Sequence, residues 1–422
     1  MKAGAGALLV LVLAGCAAQQ VDSGESLARY IAETSARPES PVFQGNAAQI
    51  LVDGPRTHEA MFAAMEAAKD HINLQSYIVE AGEVGERLAG LLRRKVAQGV
   101  RVNVLYDSVG SIGTPREYFE SLRDQGVAVC EFNPVNPLRA TLGWRLNNRD
   151  HRKILVVDGR VAFTGGINMS SAYSSGSRVN RAPQNVKAGE ESARGWRDTQ
   201  VRVEGPAVAR FQRLFLDAWA LQDCGPVLPA RYYPPLEPRG PLAMRVLFSD
   251  PDKDRSEMYG ALLEAMGRAK QRVWLAMGYF VPDPLSRRAL SEAAQRGVDV
   301  RLMLPGFSDF WAPIYAGRSH YEELLRAGVR IHEWHRALMH AKTAVIDGEW
   351  SSIGSTNLDW RSIVHNYEAD LVVYDAGFAR EMERHFRLDL AQAKEVRLDR
   401  WLARDGRERF KEWLARRWEY LL

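Results

Sequence analysis

Apolar and polar positions along the chain repeat in the same order in two halves. Each half has three segments with a helical pattern of apolar residues. Each of these segments leads into a short apolar run with the residue types of a β-strand, and in two of the three a glycine ends the helical pattern. The corresponding runs lie at residues 72–74 and 273–275, 100–105 and 298–303, and 127–129 and 329–331. The pattern predicts helix-then-strand units in both halves.

The distance in sequence between equivalent positions is nearly constant. Lys69 and Lys270 are 201 residues apart, and the helix-ending glycines Gly99 and Gly297 are 198 residues apart. Chance similarity would not keep this spacing, so a duplicated unit is the economical explanation. Strands that alternate with helices form a largely parallel or mixed sheet covered by helices. The sequence therefore predicts an α/β fold of two pseudo-symmetric repeats, each a mixed β-sheet flanked by helices.

The length and composition fit two units of this kind. The chain has 422 residues, 46% of them hydrophobic, which is enough for a substantial core in each repeat. We assign residues 43–224 to the first repeat, 242–395 to the second and the proline-rich stretch 225–241 to a linker. With 56 Lys and Arg against 52 Asp and Glu, the net charge of +4 does not by itself indicate a polyanionic partner.

Residues 396–422 are predicted to form a C-terminal amphipathic helix, with large apolar residues at helical intervals and basic residues between them. The apolar positions are Phe410, Trp413, Leu414, Trp418 and Leu421, and the basic ones are Arg409, Lys411, Arg416 and Arg417. A basic amphipathic helix with tryptophans is able to lie in an anionic membrane interface. The favoured alternative is a helix that packs on the core and keeps its arginines in solvent.

The first residues have the pattern of an export signal. One lysine precedes an apolar stretch at 3–13 that is too short to span a bilayer comfortably, and small residues follow it. The tetrapeptide Leu-Ala-Gly-Cys that ends at Cys16 is similar to the lipobox of bacterial lipoproteins, which implies lipidation of Cys16; an ordinary cleaved signal is the alternative. We expect a signal peptide at 1–15 and a polar tether at 16–42. The expected location is the periplasmic side of a membrane, and Ala17 weakly favours the outer membrane.

Cys130 and Cys224 are the two cysteines that follow Cys16. An oxidising compartment would allow a disulfide between them, but two cysteines are not a stabilising framework for a core of this size. We therefore expect both residues to be buried free thiols.

Two sets of residues recur with identical spacing, 189 residues apart. Each set has a histidine, a lysine at +2, an aspartate at +7, a glycine at +14 and an asparagine at +17. The sets are His151, Lys153, Asp158, Gly165 and Asn168, and His340, Lys342, Asp347, Gly354 and Asn357. In each set the histidine and lysine open a strand, on which residues two apart share a face, and Asp-Gly turns the chain into the next strand.

These residue types suit the chemistry of a phosphodiester, which needs a nucleophile, a positive group for its anionic oxygens and an acid for the leaving alkoxide. Imidazole serves as nucleophile or acid near neutral pH, a Lys ammonium binds phosphate oxygens, and an Asn amide adds a neutral donor. We therefore expect Lys153, Lys342, Asn168 and Asn357 to bind phosphate. Two copies place one histidine on each side of the phosphorus, as in-line displacement requires.

The two sets resemble the H-x-K-x4-D signature of the phospholipase D superfamily, and the resemblance covers essentially the whole mature chain. It implies covalent catalysis with His151 as the nucleophile and His340 as the general acid and then base, an assignment that the pseudo-symmetry makes reversible. Asp158 and Asp347 belong to the catalytic signature, although a carboxylate in an Asp-Gly turn more often binds the backbone. The superfamily works without metal, so we expect no metal and no other cofactor.

The resemblance also implies a carboxylate hydrogen-bonded to the imidazole. Glu368 lies 28 residues after His340, at the family's position, and its counterpart in the first half is Asp198, 47 residues after His151. The 19 extra residues match an irregular segment at 174–195, which we predict to be an inserted loop near the mouth of the site. Its candidates for a head-group contact are Arg178, Arg181 and Lys187, with a solvated loop as the favoured alternative.

Residues around both motifs, notably 354–368 and 196–199, are similar to bacterial cardiolipin synthases, except that Trp360 stands where that group often has proline. This implies transfer of a phosphatidyl group from one phospholipid to a hydroxyl of another. A hydrolytic phospholipase D that releases phosphatidic acid is one alternative, and a secreted nuclease is a weaker one because the chain lacks a dense basic patch interleaved with aromatics. We expect phospholipid substrates in a membrane, no nucleic acid, and a monomer, since both half-sites are on one chain.

Overall fold

The computed structural model describes residues 40–136, 145, 147–177, 195–308 and 310–422. The predicted signal peptide, the lipidation site Cys16 and nearly all of the tether lie outside the described residues. The same holds for the basic residues Arg178, Arg181 and Lys187 of the predicted inserted loop.

The described part of the first repeat contains nine strands, four α-helices and a 3-10 turn at Ser171–Tyr173. The strands are β1 (Phe43–Val52), β2 (His71–Ser76), β3 (Arg101–Asp107), β4 (Ala128–Phe132), β5 (Arg149–Asp150), β6 (Ile154–Val157), β7 (Val161–Gly165), β8 (Trp196–Arg197) and β9 (Thr199–Glu204). The helices are α1 (Gly54–Glu66), α2 (Glu83–Ala97), α3 (Arg116–Asp124) and α4 (Val208–Leu221).

The second repeat follows the same order of elements. Its strands are β10 (Leu242–Asp250), β11 (Arg255–Ser256), β12 (Arg272–Met277), β13 (Asp299–Pro305), β14 (Arg330–Trp334), β15 (Leu338–Met339), β16 (Lys342–Ile346), β17 (Trp350–Gly354), β18 (Asn366–Tyr367), β19 (Ala369–Tyr374) and β20 (Lys394–Val396). Its helices are α5 (Glu257–Arg268), α6 (Pro284–Gln295), α7 (Trp311–Arg318), α8 (Tyr321–Arg326), α9 (Trp360–Val364) and α10 (Ala376–Leu390), and two further helices follow, α11 (Leu398–Leu402) and α12 (Gly406–Arg416).

One large sheet runs through both repeats. Its strands lie in the order β20-β14-β13-β12-β16-β17-β19-β10-β1-β9-β7-β6-β2-β3-β4, and β11 pairs with β10 at the side. This order is nearly a palindrome about β1 and β10, which pair antiparallel and bring the two repeats together. Within the first repeat, β2, β3 and β4 are parallel, whereas β6, β7 and β9 alternate in direction. The predicted α/β fold of two repeats with mixed sheets is confirmed.

Helices cover both faces of the sheet, as alternate residues of β6 demonstrate. Leu155 packs with Met65 and other residues of α1 and α2, whereas Val156 belongs to a cluster on the opposite face. That second cluster contains Phe211 of α4 and Phe378 of α10, so the last long helix of each repeat packs over the centre of the sheet. Full burial of each such side chain stabilises the fold by about 1.5–3 kcal/mol.

The glycines that the pattern predicted as helix ends have the expected conformation. Gly99 follows α2 with φ +84° and Gly297 follows α6 with φ +89°, the left-handed region that glycine adopts without a Cβ penalty. At its start, α6 is capped by Asp283, whose carboxylate accepts a hydrogen bond from the amide of Leu285 at 2.8 Å. Helix ends in this fold therefore follow from local residue chemistry.

The C-terminal segment is not the single helix predicted for 396–422. It forms α11, α12 and a final 3-10 turn, because Asp405 caps α12 through its side chain and Gly406 disfavours a continuous helix at this point. Ala415 and Leu422 are buried in the core of the second repeat. Among the described helices, none is both long enough and apolar enough to cross a bilayer.

Cys130 in β4 and Cys224 after α4 form a disulfide, with their Cα atoms 5.6 Å apart. The prediction of two free thiols is therefore wrong. The pairing depends on the packing of α4 beside β4, where Phe132, Phe215 and the two cysteines share one cluster. Ninety-four residues separate the cysteines in sequence, so no local pattern indicates this contact.

Candidate active site

Both histidine and lysine pairs lie at the carboxyl end of the parallel strands of their repeat. In the first repeat, His151 and Lys153 lie just before β6, which starts beside the last residues of β2. In the second repeat, Lys342 is the first residue of β16 and pairs with Met277, the last residue of β12. All of these histidine and lysine side chains are buried. Open α/β sheets bind their ligands at this edge.

Two short pairs of strands join the repeats at the site. β5 pairs parallel with β18, and β8 pairs parallel with β15, so that each pair takes one strand from each repeat. The backbone amide of His151 donates to the carbonyl oxygen of Tyr367 at 2.9 Å, and the amide of His340 donates to that of Arg197 at 2.8 Å. Each histidine is therefore held in place by the backbone of the other repeat.

The imidazole partners are crossed between the repeats. His151 Nδ1 lies 3.0 Å from Glu368 Oε2, and His340 Nδ1 lies 2.7 Å from Asp198 Oδ2. Each carboxylate follows the histidine of its own half in sequence but contacts the histidine of the other half in the structure. A carboxylate at Nδ1 selects the tautomer in which Nδ1 carries the proton and Nε2 carries the lone pair.

Gly166 of the first motif packs against Asp198, and side chains near the second motif bind Glu368. A Cβ on Gly166 would lie 2.2 Å from Asp198 Oδ1, so only glycine allows the carboxylate to sit there. In the second repeat, Glu368 accepts hydrogen bonds from Ser362 Oγ at 2.9 Å and from Asn366 Nδ2 at 3.2 Å. These contacts hold the carboxylates, which in turn orient the imidazoles.

The lysines lie directly beside the histidines. Lys153 Nζ donates to the carbonyl oxygen of His151, and Lys342 Nζ donates to that of His340. Gly278 allows the backbone after β12 to pass close to the Lys342 ammonium group, because a Cβ at this position would lie 2.9 Å from Lys342 Nζ. Two ammonium groups at one site supply the positive charge that an anionic phosphodiester requires.

Burial and the lysines set the protonation of the site. Burial lowers the pKa of His151 well below its usual value, and the charges of Lys153 and Lys342 lower it further. Burial and Lys342 also lower the pKa of His340, while Asp198 opposes that shift. Neutral imidazole is therefore the form at pH 7, which a nitrogen nucleophile needs.

Asn168 and Asn357 hold the loops that follow β2 and β12. Asn168 Oδ1 accepts from the amide of Ile78 at 3.0 Å, and Asn357 Oδ1 accepts from the amide of Tyr279 at 3.1 Å. Asn168 Nδ2 donates to the hydroxyl of Tyr173 at 3.0 Å. Both asparagines lie in the buried site, and their binding to phosphate stays a prediction.

Asp158 and Asp347 lie at the opposite end of the strands from the histidines. Asp158 accepts from three consecutive backbone amides at 69–71, and Asp347 accepts from those at 270–272, all at 2.8 to 2.9 Å. Each strand rises about 3.3 Å per residue, so β6 and β16 separate these carboxylates from the reacting groups. The two aspartates bind the backbone that leads into β2 and β12, and their catalytic role stays a prediction.

Aromatic rings surround the imidazoles, although the sequence did not assign them to the site. The ring of Tyr77 lies 5.1 Å from that of His151, and the rings of Tyr279 and Trp196 lie 6.0 and 4.8 Å from that of His340. Tyr77 and Tyr279 are 202 residues apart, which is the spacing of the repeat. Comparing the residues after β2 and β12 at that spacing would have found both tyrosines.

Comparisons with known proteins agree with this duplicated architecture. The family model described as "Cardiolipin synthase, PLD-like domain" matches the chain twice, at residues 61–178 and 262–390. The solved structure of phosphatidylserine synthase from Haemophilus influenzae covers 94% of this chain and 100% of its own, with a TM-score of 0.64 and 12% identity, which shows a shared fold. The fold and the site define a protein with two phospholipase D-like domains.

Similar proteins identify the family within this class. The chain is 35% identical to a cardiolipin synthase of Geobacillus kaustophilus, over 89% of this chain and 72% of that protein. It is 32% identical to cardiolipin synthase 1 of Bacillus anthracis, over 88% and 72% respectively. The chain belongs to the cardiolipin synthase family. The predicted enzyme class, a phosphatidyltransferase of the phospholipase D type, is confirmed, and its substrates are phospholipids.

Proposed function

We propose that the enzyme joins two phospholipids through a covalent phosphatidyl-histidine on His151, giving cardiolipin. The crossed contacts of His151 with Glu368 and of His340 with Asp198 carry this proposal. They present two oriented imidazoles, one from each repeat, to a single site that also contains two lysines. Neither repeat alone holds a complete set of these groups.

In the first step, the phosphodiester anion lies beside the ammonium groups of Lys153 and Lys342. Nε2 of His151 attacks phosphorus, and the bond from phosphorus to the oxygen of the leaving alcohol breaks. Protonated His340 gives its proton to that oxygen. The negative charge of the bound phosphodiester raises the pKa of His340, and the contact with Asp198 favours its charged form, so substrate binding prepares the acid.

In the second step, a hydroxyl of another phospholipid gives its proton to neutral His340 and attacks phosphorus. The bond between Nε2 of His151 and phosphorus breaks, which restores the enzyme. Water in place of that hydroxyl would give phosphatidic acid. The similarity to cardiolipin synthases supports lipid transfer over hydrolysis.

Incubation of the full chain with labelled phosphatidylglycerol, with and without phosphatidylethanolamine, tests the reaction. We expect labelled cardiolipin, lost in His151→Ala and kept in His335→Ala, a histidine outside the motifs. Phosphatidic acid as the sole product would identify a hydrolase. No lipid turnover together with cleavage of DNA would contradict a lipid substrate. Chelators should leave the rate unchanged, and loss of activity restored by a divalent ion would contradict the metal-free mechanism.

We also propose that the protein is an exported lipoprotein, anchored at Cys16 on the periplasmic side of a membrane, and that it is a monomer. The disulfide between Cys130 and Cys224 supports export, because such bonds persist in oxidising compartments. Cys16→Ser should release the protein from membranes, and unchanged fractionation would contradict the anchor. Light scattering of the detergent-solubilised protein should give the mass of one chain.

A further inference from the structure

Large aromatic side chains are exposed together on the second repeat, on α7, on α12 and next to them. We define the aromatic-basic surface as these side chains with the basic residues between them. Its aromatic members are between 43% and 61% exposed, and they are Phe310, Trp311, Phe410, Trp413 and Trp418. Its basic members are Arg409, Lys411, Arg416 and Arg417. Contiguous exposed apolar patches are uncommon on proteins without a partner for them.

Packing between α7 and α12 builds this surface. Lys411 Nζ donates to the hydroxyl of Tyr315 in α7 at 3.2 Å and lies 5.0 Å from the centre of its ring. Helix α12 faces the core with Ala415, which is fully buried. Phe410 and Trp413 stack with ring centres 5.8 Å apart and stay exposed. The favoured sequence expectation, a helix packed on the core, therefore holds for one side of α12 and leaves an aromatic side in solvent.

The surface adjoins the carboxyl edge of the sheet, where the reacting groups lie. Helix α7 starts at Trp311, after the loop that leaves β13 at the carboxyl edge of the sheet. A Cβ on Gly317 of α7 would lie 2.0 Å from the carbonyl oxygen of Phe280, so α7 is pressed against the segment that carries Tyr279. The ring of Tyr279 lies 6.0 Å from that of His340. Trp311 therefore lies at the same edge as the reacting groups, and the contact of Lys411 with Tyr315 joins α12 to the helix that Trp311 begins.

The charge of this surface identifies the partner that it fits. Residues 397–422 contain eight Arg and Lys against five Asp and Glu, an excess of three positive charges in a chain whose net charge is +4. Tryptophans interleaved with basic side chains match the headgroup region of an anionic bilayer. In the first repeat, the loop after β3 at the same edge of the sheet exposes Ile112, which is 73% accessible. Exposed apolar side chains thus lie at this edge of the sheet on both repeats.

We propose that the aromatic-basic surface docks the enzyme on a bilayer of anionic phospholipids. Trp311, Trp413 and Trp418 insert at the level of the headgroups, and lipids reach the active site without leaving the membrane. This inference rests on the proposed function for its substrate, but the docking itself is measured without turnover.

Tryptophan fluorescence of the full chain on vesicles that contain brominated lipids tests the docking. The test variant is Trp311→Ser/Trp413→Ser/Trp418→Ser. The control is Leu228→Ser/Tyr233→Ser, whose residues are 47% and 51% exposed, in the linker that covers the Asp-Gly turn at the far edge of the sheet. We expect strong quenching of the wild type and the control on phosphatidylglycerol vesicles, weak quenching on pure phosphatidylcholine, and loss of most of the quenching in the test variant.

Turnover provides the second readout. The test variant should lose about tenfold in rate on vesicles, which corresponds to about 1.4 kcal/mol of binding, and keep its rate on detergent-dispersed phosphatidylglycerol. Unchanged quenching and vesicle rate in the test variant would overturn the docking proposal. So would a dimer that the test variant converts to monomers, because the surface would then cover a second copy. Quenching without turnover on either substrate would support docking and contradict the proposed function.

Discussion

Nδ1 of His151 lies 3.0 Å from Oε2 of Glu368, a residue 217 positions later in the other repeat. The contact is buried, and Ser362 and Asn366 hold the carboxylate from its other side. Separation of the repeats would remove the group that orients the imidazole. Duplication therefore adds a second histidine, and it also makes each histidine depend on a carboxylate from the other repeat.

Glu368→Gln should lower kcat by about 10²–10⁴-fold with a smaller change in KM, because the amide no longer selects the productive tautomer of His151. Steady-state kinetics on detergent-dispersed lipid measures this. Glu419→Gln is the matched control, since Glu419 Oε2 lies 3.0 Å from Nε2 of His320 in a pair outside the site. Equal effects of the two substitutions would contradict a special role for Glu368.

Gly166→Ala should inactivate the enzyme and destabilise it by about 1–3 kcal/mol, because the added methyl overlaps Asp198 and displaces the partner of His340. Thermal unfolding and turnover measure the two effects. Gly113→Ala is the control, because a Cβ there meets no atom within 4 Å. An active Gly166→Ala enzyme would mean that Asp198 does not need its observed position.

Asp347→Ala should destabilise the fold by about 1–3 kcal/mol, since three backbone amides lose their acceptor, while the folded variant keeps most of its kcat. Burial alone would raise the pKa of Asp347, but hydrogen bonds from the amides of Arg272, Lys270 and Gln271 hold it below 3.8. A carboxyl with a depressed folded pKa stabilises above its unfolded pKa, and this contribution is lost as pH falls through the folded pKa. The stability gap between wild type and variant should therefore be full at pH 7 and shrink at strongly acid pH. Urea unfolding at pH 7 and at strongly acid pH measures this gap in stability. Loss of kcat in a fully folded variant would support a catalytic role for Asp347.

The decline of kcat/KM with rising pH, which the lowered pKa of His340 already causes, should steepen above neutrality, where Lys153 loses its proton. Burial lowers the pKa of Lys153 to about 7, an effect that Glu368 partly opposes. Above that pH a growing fraction of Lys153 is neutral and no longer attracts the phosphodiester anion. Because the pKa of His151 is also lowered, the acid limb should lie below its ordinary value of 6.5. A kcat/KM that stays flat to pH 9 would contradict the role of Lys153.

The sequence predicted those features of the protein that depend on spacing along the chain. The duplicated fold, the glycine helix ends and the meeting of His151 with His340 at one edge of the sheet follow from two nearly equal spacings. The crossed pairing of Glu368 and Asp198 depends on two-residue strands that form only when the repeats associate. The disulfide and the division of the C-terminal helix likewise depend on tertiary packing or on a single Asp-Gly break, for which a helical period alone gives no signal.

The most direct test of the account is to find the covalent intermediate. The enzyme is mixed with phosphatidylglycerol labelled with ³²P, quenched in alkali within one turnover and digested for mass spectrometry. We predict an acid-labile, alkali-stable ³²P label on His151, absent in His151→Ala and present in His335→Ala. A label on His340, or cardiolipin formed at the normal rate with no labelled histidine, would contradict the mechanism.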